Sequence, residues 1–234
     1  MQNRMILAVV GATGAQGGGL ARAVLNDSEG PFAVRALTRK PSSPKALELA
    51  QLGAEVVQAD LDDPASLERA FAGAYGAFCV TNFWEHFSPE RETAQAANMA
   101  NAAKAAGLRH VIWSTLEDTR QWVPLDDDRL PTLMRKYKVP HFDAKGEADR
   151  YFGEAGLPVT FLLTSFYFEN FIYFGAGPRK NPAGKLAITF PMADKKLPGI
   201  AVDDIGKCAY GIFRNGAEFI GKTVGIAAGH LSGA

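Results

Sequence analysis

Charge of one sign is what this sequence lacks first: Lys and Arg total 25, Asp and Glu total 25, and the formal net charge is zero. No global field therefore draws it to nucleic acid or to an anionic membrane, and neither is expected as a direct partner. Cysteine is scarce as well. Cys79 and Cys208 sit in apolar settings (AFCVT and KCAYGIF) without metal-ligand spacing, so they read as reduced core thiols and make a cytoplasmic location the default expectation. Long apolar runs are missing, because Gly, Pro or a charge interrupts each one before the ~18 residues that a membrane helix needs. The short apolar run in MQNRMILAVVGATG passes straight into a glycine turn with no cleavage signature, and reads as a buried strand rather than a leader.

What is present is ordinary globular material, 47% hydrophobic and 21% charged over 234 residues, enough for one α/β domain with a small appendage. An apolar, β-branched run over 5–10 is followed by helical spacing over 16–25, the first strand and helix. A second strand is expected over 32–38. Ser43 and Pro44 then supply a cap and a first-turn proline for a helix that Gly53 ends. The pattern repeats with a strand over 55–59, a helix from Asp63 and Pro64 to Phe71, a strand over 76–81, an alanine-rich helix over 89–106 and a strand over 110–114. Residues 115–140 read as a surface excursion, followed by a helix over 144–155 and a sixth strand over 159–163.

Such alternation requires a mostly parallel sheet with helices on both faces, an α/β, doubly wound architecture. Composition changes after Thr164, first to aromatics (FYFENFIYF) and then to Gly and Pro. The organisation expected is thus a domain over 1–164 and a smaller C-terminal region over 165–234, partly interleaved with it. That region is expected to carry short strands over 186–190 and 223–227 and a helix opened by Asp203 and Asp204.

The first strand-to-helix turn reads VVGATGAQGGGLA, with Gly11, Gly14 and Gly17 at G-x-x-G-x-x-G spacing. Gly11 permits the tight turn, Gly14 lets the backbone approach a pyrophosphate, and Gly17 lets helix pack on strand, the arrangement of a Rossmann-type dinucleotide site. The amides around Ala15 face the anion, and Thr13 and Gln16 can add side-chain hydrogen bonds. The second strand ends RALTRKP. No carboxylate stands there for a ribose 2′-hydroxyl; Arg39 and Lys40 do, and a guanidinium suits a 2′-phosphate, so NADP(H) is the cofactor expected. Asp60 and Leu61 fall along the adenine edge. Asp63 is explained as a helix cap, and no metal site is expected among these carboxylates.

With TRKP, ADLDD, TNFWE, HFDAKGE and FYFEN in view, the whole chain resembles the NmrA-like proteins, an atypical branch of the short-chain dehydrogenase/reductase superfamily. The resemblance implies that Thr81, Asn82 and Phe83 run beside the nicotinamide ribose, that Lys145 is the lysine bonded to that ribose and the candidate catalytic residue, and that Tyr167, Phe168, Glu169 and Asn170 contact the nicotinamide end. It also exposes a departure. The tyrosine that normally stands four residues before the lysine and donates the proton in carbonyl reduction is replaced by His141, read here as structural.

Relatives of this kind usually continue beyond the strand that here ends GIAAGHLSGA, so the small substrate region is expected to be truncated and open on one side, with apolar surface for a protein partner or a second copy. Two functions follow from the resemblance. One is a redox-sensing or regulatory NADP(H) binder; the other is an NADPH-dependent reductase of quinones or activated alkenes, with a small planar substrate against Phe83, Trp84 and Tyr167.

Overall fold

The structure, a computed structural model, describes residues 4–232; the outermost residues of the two expected regions, 1–3 and 233–234, lie outside it. β1 (Met5–Val9) enters α1 (Ala15–Leu25) through the glycine turn. β2 (Phe32–Thr38) leads to α2 (Pro44–Gln51), where the Ser43 hydroxyl accepts from Ala46 N. β3 (Glu55–Gln58) leads to α3 (Pro64–Phe71), where the Asp63 carboxylate accepts from Ser66 N. β4 (Gly76–Cys79) is followed by a single-turn α4 (Phe83–His86) and by α5 (Pro89–Ala105), opened by Ser88 accepting from Arg91 N. Three starts thus use a short polar cap followed by proline, the pairing that the free amides and fixed φ of a first turn favour.

β5 (His110–Thr115) precedes a 3-10 turn (Thr119–Gln121) and α6 (Pro140–Glu154), after which come β6 (Val159–Leu163), β7 (Phe166–Tyr167) and α7 (Asn170–Tyr173). The remainder comprises β8 (Arg179–Lys180), β9 (Leu186–Ala187), β10 (Leu197–Ile200), α8 (Val202–Arg214), α9 (Gly216–Phe219), β11 (Thr223–Gly225) and β12 (Gly229–Leu231).

Seven strands form the main sheet in the order β11-β6-β5-β4-β1-β2-β3, every pairing parallel. The chain winds outward from β1 to β3 and then returns to β4 on the other side of β1. Strand order therefore reverses between β1 and β4, the place where a doubly wound sheet opens a crevice at its carboxyl ends. Both faces are buried. Phe71, Met99, Trp113 and Phe152 fill one side with α3, α5 and α6, while Leu20, Phe78, Ile205 and Phe213 fill the other with α1 and α8. Cys79 is buried in β4 and Cys208 lies on α8, both as free thiols. None of the helices in the described residues is long and apolar enough to cross a membrane.

The segment beyond Leu163 returns to the main body: β11 extends the sheet beside β6, and α8 lies against α1. Glycine makes that last contact. A Cβ on Gly206 would stand 2.1 Å from backbone atoms of Gly19 and Leu20, so the two helices meet backbone to backbone.

Several boundaries differ from those read in the sequence. α6 begins at Pro140, not at 144, because proline occupies its first turn and the Asp143 carboxylate reaches back to Lys138 N at 2.7 Å and Val139 N at 3.0 Å. The strand expected over 186–190 shortens to Leu186–Ala187, paired only with β8. The strands expected over 76–81 and 223–227 stop at Cys79 and Gly225, and the residues after Cys79 turn into α4, too short for periodicity to reveal.

Candidate functional site

The loops at the carboxyl ends of β1 and β4 border the crevice. Gly11 adopts φ +62°, a left-handed conformation open to glycine at little cost. A Cβ on Gly17 would lie 2.5 Å from the carbonyl oxygens of Val10 and Gly11, so helix and turn touch there. Gly14 and Ala15 are exposed at the mouth and Thr13 is partly so.

Unlike α2, α3 and α5, α1 has a bare N-terminus, and it stands at the exposed end of β1. Among the described residues, α2, α3 and α5 are capped by Ser43, Asp63 and Ser88, and α8 has Glu169 accepting from Val202 N at 3.1 Å; α6 lacks a side-chain cap but opens on Pro140, which has no amide to satisfy, and Asp143 bonds Lys138 N and Val139 N just before it. Gly14 supplies no such group to α1. The first-turn amides at Ala15, Gln16 and Gly17 have no preceding carbonyl turn to bond, and with the helix dipole they favour an anion.

Gln16 does not fill that gap. Its amide oxygen accepts from Ser114 Oγ at 2.7 Å and its Nε2 donates to Tyr167 OH at 2.6 Å. The side chain expected to reach a phosphate is thus bonded at both ends, tying α1 to the ends of β5 and β7. Burial raises the Tyr167 phenol above its usual range.

On the far side of the turn, Arg39 is where the sequence placed it, directly after β2, and it is paired. Its guanidinium grips Glu85 of α4 with both terminal nitrogens, NH2 to Oε2 at 2.9 Å. The hydrogen bond raises the arginine pKa and holds the Glu85 carboxyl below its ordinary value. Lys40 is exposed and forms no ion pair among the described residues. Asp60 accepts from Asp62 N at 3.0 Å, and Leu61 offers its carbonyl to Asn98 Nδ2 at 2.8 Å, shaping the loop after β3. Asp62 is taken by Arg91 and Gln95.

At the other end, Thr81 and Lys145 do come together. Lys145 Nζ lies 2.6 Å from Thr81 Oγ1, 3.3 Å from Thr81 O and 3.0 Å from Oε1 of Glu92, and stands over the Trp113 ring at 5.0 Å. An ammonium has three donors, and three acceptors already meet them. Glu92 is wholly buried on α5 and also accepts from Thr81 Oγ1 at 2.5 Å. His86 accepts from Ser88 N at its Nδ1, which leaves the proton on Nε2, 3.4 Å from Glu92 Oε2. One helical turn after Lys145, Asp149 accepts from Trp113 Nε1 at 2.8 Å and Thr115 Oγ1 at 2.5 Å, and burial pushes its carboxyl up to about 6.

His141 shares α6 with Lys145 but points into rings: its centroid is 4.7 Å from Trp84, 5.8 Å from Phe83 and 4.9 Å from Phe142. Burial first, and the Lys145 charge second, lower its pKa, which favours the uncharged imidazole. Asn82 precedes α4, with its carbonyl accepting from Glu85 N. Of the later group, Phe168 packs against Gly199, Glu169 serves α8, and Asn170 opens α7, whose Ile172 and Tyr173, with Phe174, are 72%, 75% and 76% exposed. Glu85, His86, Glu92 and Asp149 were not singled out in the sequence. Glu92 left a trace, since it falls on the helical stripe of Ala96, Met99, Ala100 and Ala103, where a charge is out of place.

Comparison with known proteins identifies the family and the fold. The model of the NmrA-like family matches residues 3–234. An NmrA-like family domain-containing oxidoreductase, FrzB of a Cladobotryum species, is 31% identical over 242 residues, covering 94% of this chain and 67% of its own length. Among solved structures, NmrA, a negative transcriptional regulator, superposes with a TM-score of 0.82 at 26% identity, over 98% of this chain and 69% of that one. NmrA has also been solved in complex with NAD and with NADP, each matching at a TM-score of 0.80. The chain spans about two thirds of the length of these relatives. In fold, in the order of its motifs and across nearly all its length, the chain belongs to the NmrA-like family.

Proposed function

We propose that this chain binds NADP(H) across the reversal between β1 and β4 and acts as a redox-responsive regulatory protein. The observation that carries the proposal is the exposed, uncapped N-terminus of α1 at the end of β1, where α2, α3 and α5 each have a side-chain cap. Gly11, Thr13, Gly14, Ala15, Gln16 and Gly17 seat the pyrophosphate. Arg39 and Lys40 take the 2′-phosphate, and Asp60 and Leu61 flank the adenine. The nicotinamide end lies toward Thr81, Asn82, Phe83 and Lys145, with Tyr167, Phe168, Glu169 and Asn170 opposite. When bound, the dinucleotide brings hydride chemistry; the chain supplies its seat. The kinship with NmrA, a regulator solved with NADP, supports the regulatory role.

Proton supply argues the same way. The donors of Lys145 are spent on Thr81 and Glu92, and His141 is packed among aromatic rings with burial lowering its pKa, so neither is poised as the acid that carbonyl reduction needs. Regulation requires cofactor states that favour different conformations, because a ligand binding both equally shifts nothing. The exposed Ile172, Tyr173 and Phe174 offer apolar surface to a protein partner.

A second function is favoured by one feature, the aromatic wall of Phe83, Trp84 and Phe87 beside His141, with Trp84 and Phe87 exposed. It suits a planar quinone or activated alkene, acceptors that need little acid catalysis, and the relatives named as oxidoreductases agree with it. Purified protein mixed with NADPH and a panel of quinones and enals, followed at the reduced-nicotinamide absorbance, separates the two. The regulatory role predicts no turnover and unequal affinities for NADP+ and NADPH; steady oxidation of NADPH would replace it with the reductase.

A further inference from the structure

We propose that Glu85 is a specificity-determining residue: an internal anion on Arg39 that a 2′-phosphate must displace, so that it sets how far NADP(H) is preferred over NAD(H). The inference deepens the NADP(H) assignment above and rests on it. The contact is fork to fork, both terminal guanidinium nitrogens on both carboxylate oxygens. That is the geometry in which arginine holds a phosphate. Glu85 therefore occupies the donors that a 2′-phosphate would use.

The pair is placed to exchange. Arg39 and Glu85 are each about half exposed, and exposed ion pairs are weak and solvent-screened. The other charges facing Arg39 are Asp60, which attracts it, and Arg91, which repels it and is itself paired with Asp62. Removing the Glu85 charge leaves Arg39, Lys40 and Arg91 less balanced by carboxylates and frees the Arg39 fork. A dinucleotide with a bare 2′-hydroxyl gains nothing from that fork. The element that carries Glu85 is a single turn, α4, ended by Phe87 at φ +53°, a left-handed conformation unusual for a side chain of this size. Glu85 is thus held by a short, separately shaped piece of chain, not by the frame of the sheet.

The test is calorimetric titration of the full chain with NADP+, NAD+ and adenosine 2′,5′-bisphosphate, in the parent protein, Glu85→Gln, Glu85→Ala, Arg39→Ala and the Arg39→Ala/Glu85→Gln double variant. Glu85→Gln and Glu85→Ala are expected to tighten NADP+ and the bisphosphate by roughly three- to tenfold, leaving NAD+ unchanged. The gain should disappear when Arg39 is absent. NADP+ binding unchanged or weakened in both Glu85 variants overturns the proposal, as does an equal gain for NAD+ or a gain that survives loss of Arg39. Failure of the underlying assignment looks different: no protein in the set binds any of the three ligands.

Discussion

The ammonium of Lys145 lies 3.0 Å from Oε1 of Glu92, a carboxylate with no exposed surface. The pair joins α6 to α5 beneath the loop after β4, with Thr81 bonded to both partners. Removing one member strands a buried charge, whereas removing both removes the need for either.

Lys145→Met should therefore cost about 3–5 kcal/mol of stability, as should Glu92→Met, while the double variant Lys145→Met/Glu92→Met costs clearly less than the sum of the two. Urea unfolding of the four proteins checks this. Additive losses would mean that the two groups do not act as a pair. Any loss of function in Lys145→Met has to be compared with this double variant before it is assigned to cofactor contact.

Arg39→Ala should weaken NADPH by ~1.5–3 kcal/mol, the loss of a charge-assisted contact to the 2′-phosphate, and leave NADH nearly unchanged. Parallel titrations with the two reduced dinucleotides measure it. Equal weakening of both would place Arg39 elsewhere on the ligand.

Burial holds the Asp149 carboxyl at about 6, above its ordinary value, so between the two values the folded state binds a proton that the unfolded state has released. Stability contributed by this group is full below the unfolded pKa and falls as pH rises toward 6. Asp149→Asn keeps an oxygen for Trp113 and Thr115 and removes the charge. Relative to the parent it should gain about 3 kcal/mol between pH 4 and pH 7. Thermal melts across that range report the difference; a difference that is flat with pH contradicts the origin given for the shift. His110, buried with its pKa lowered to about 4, contributes the opposite slope in the same window, so only the difference between variant and parent isolates Asp149.

Gly206→Ala should destabilise by at least ~1–3 kcal/mol, because the new methyl meets the Gly19 and Leu20 backbone at 2.1 Å and no side chain can move aside. Since α1 shifts with α8, cofactor affinity should fall too. Unchanged melting would show that the helices separate freely.

The fold was legible where local chemistry decides it. Ser43 with Pro44 and Asp63 with Pro64 announce helix starts that the structure places at the same residues, and the apolar runs of β1 and β5 mark buried parallel strands. Of the candidate site, the sequence marked the glycine turn and the chain positions of Arg39 and Lys145. Their partners were hidden because the contacts are long in sequence: Arg39 meets Glu85 across 46 residues, on a helix of one turn that leaves no periodic pattern. The α6 start was misplaced although Pro140 marked it, since His141 and Asp143, on either side of Phe142, break up the apolar stripe before Ala144. Gly206 lay outside the glycine turn, and only the crossing of α1 and α8 gives it a reason.

One measurement bears most directly on the claim that the bare α1 N-terminus is the dinucleotide seat: calorimetric titration of Gly14→Asp with NADP+ beside the parent protein. Gly14 has extended backbone angles that aspartate adopts, its Cβ would come 3.1 Å from the Gly11 carbonyl oxygen so that the turn must give by a few tenths of an ångström, and a carboxylate there would cap the first-turn amides from within. The parent should bind at a single site, and Gly14→Asp should show no binding while remaining folded, with at most a modest loss of melting temperature from the 3.1 Å approach of its Cβ to the Gly11 carbonyl. Equal affinity in the two proteins, or no heat in the parent, would contradict the account.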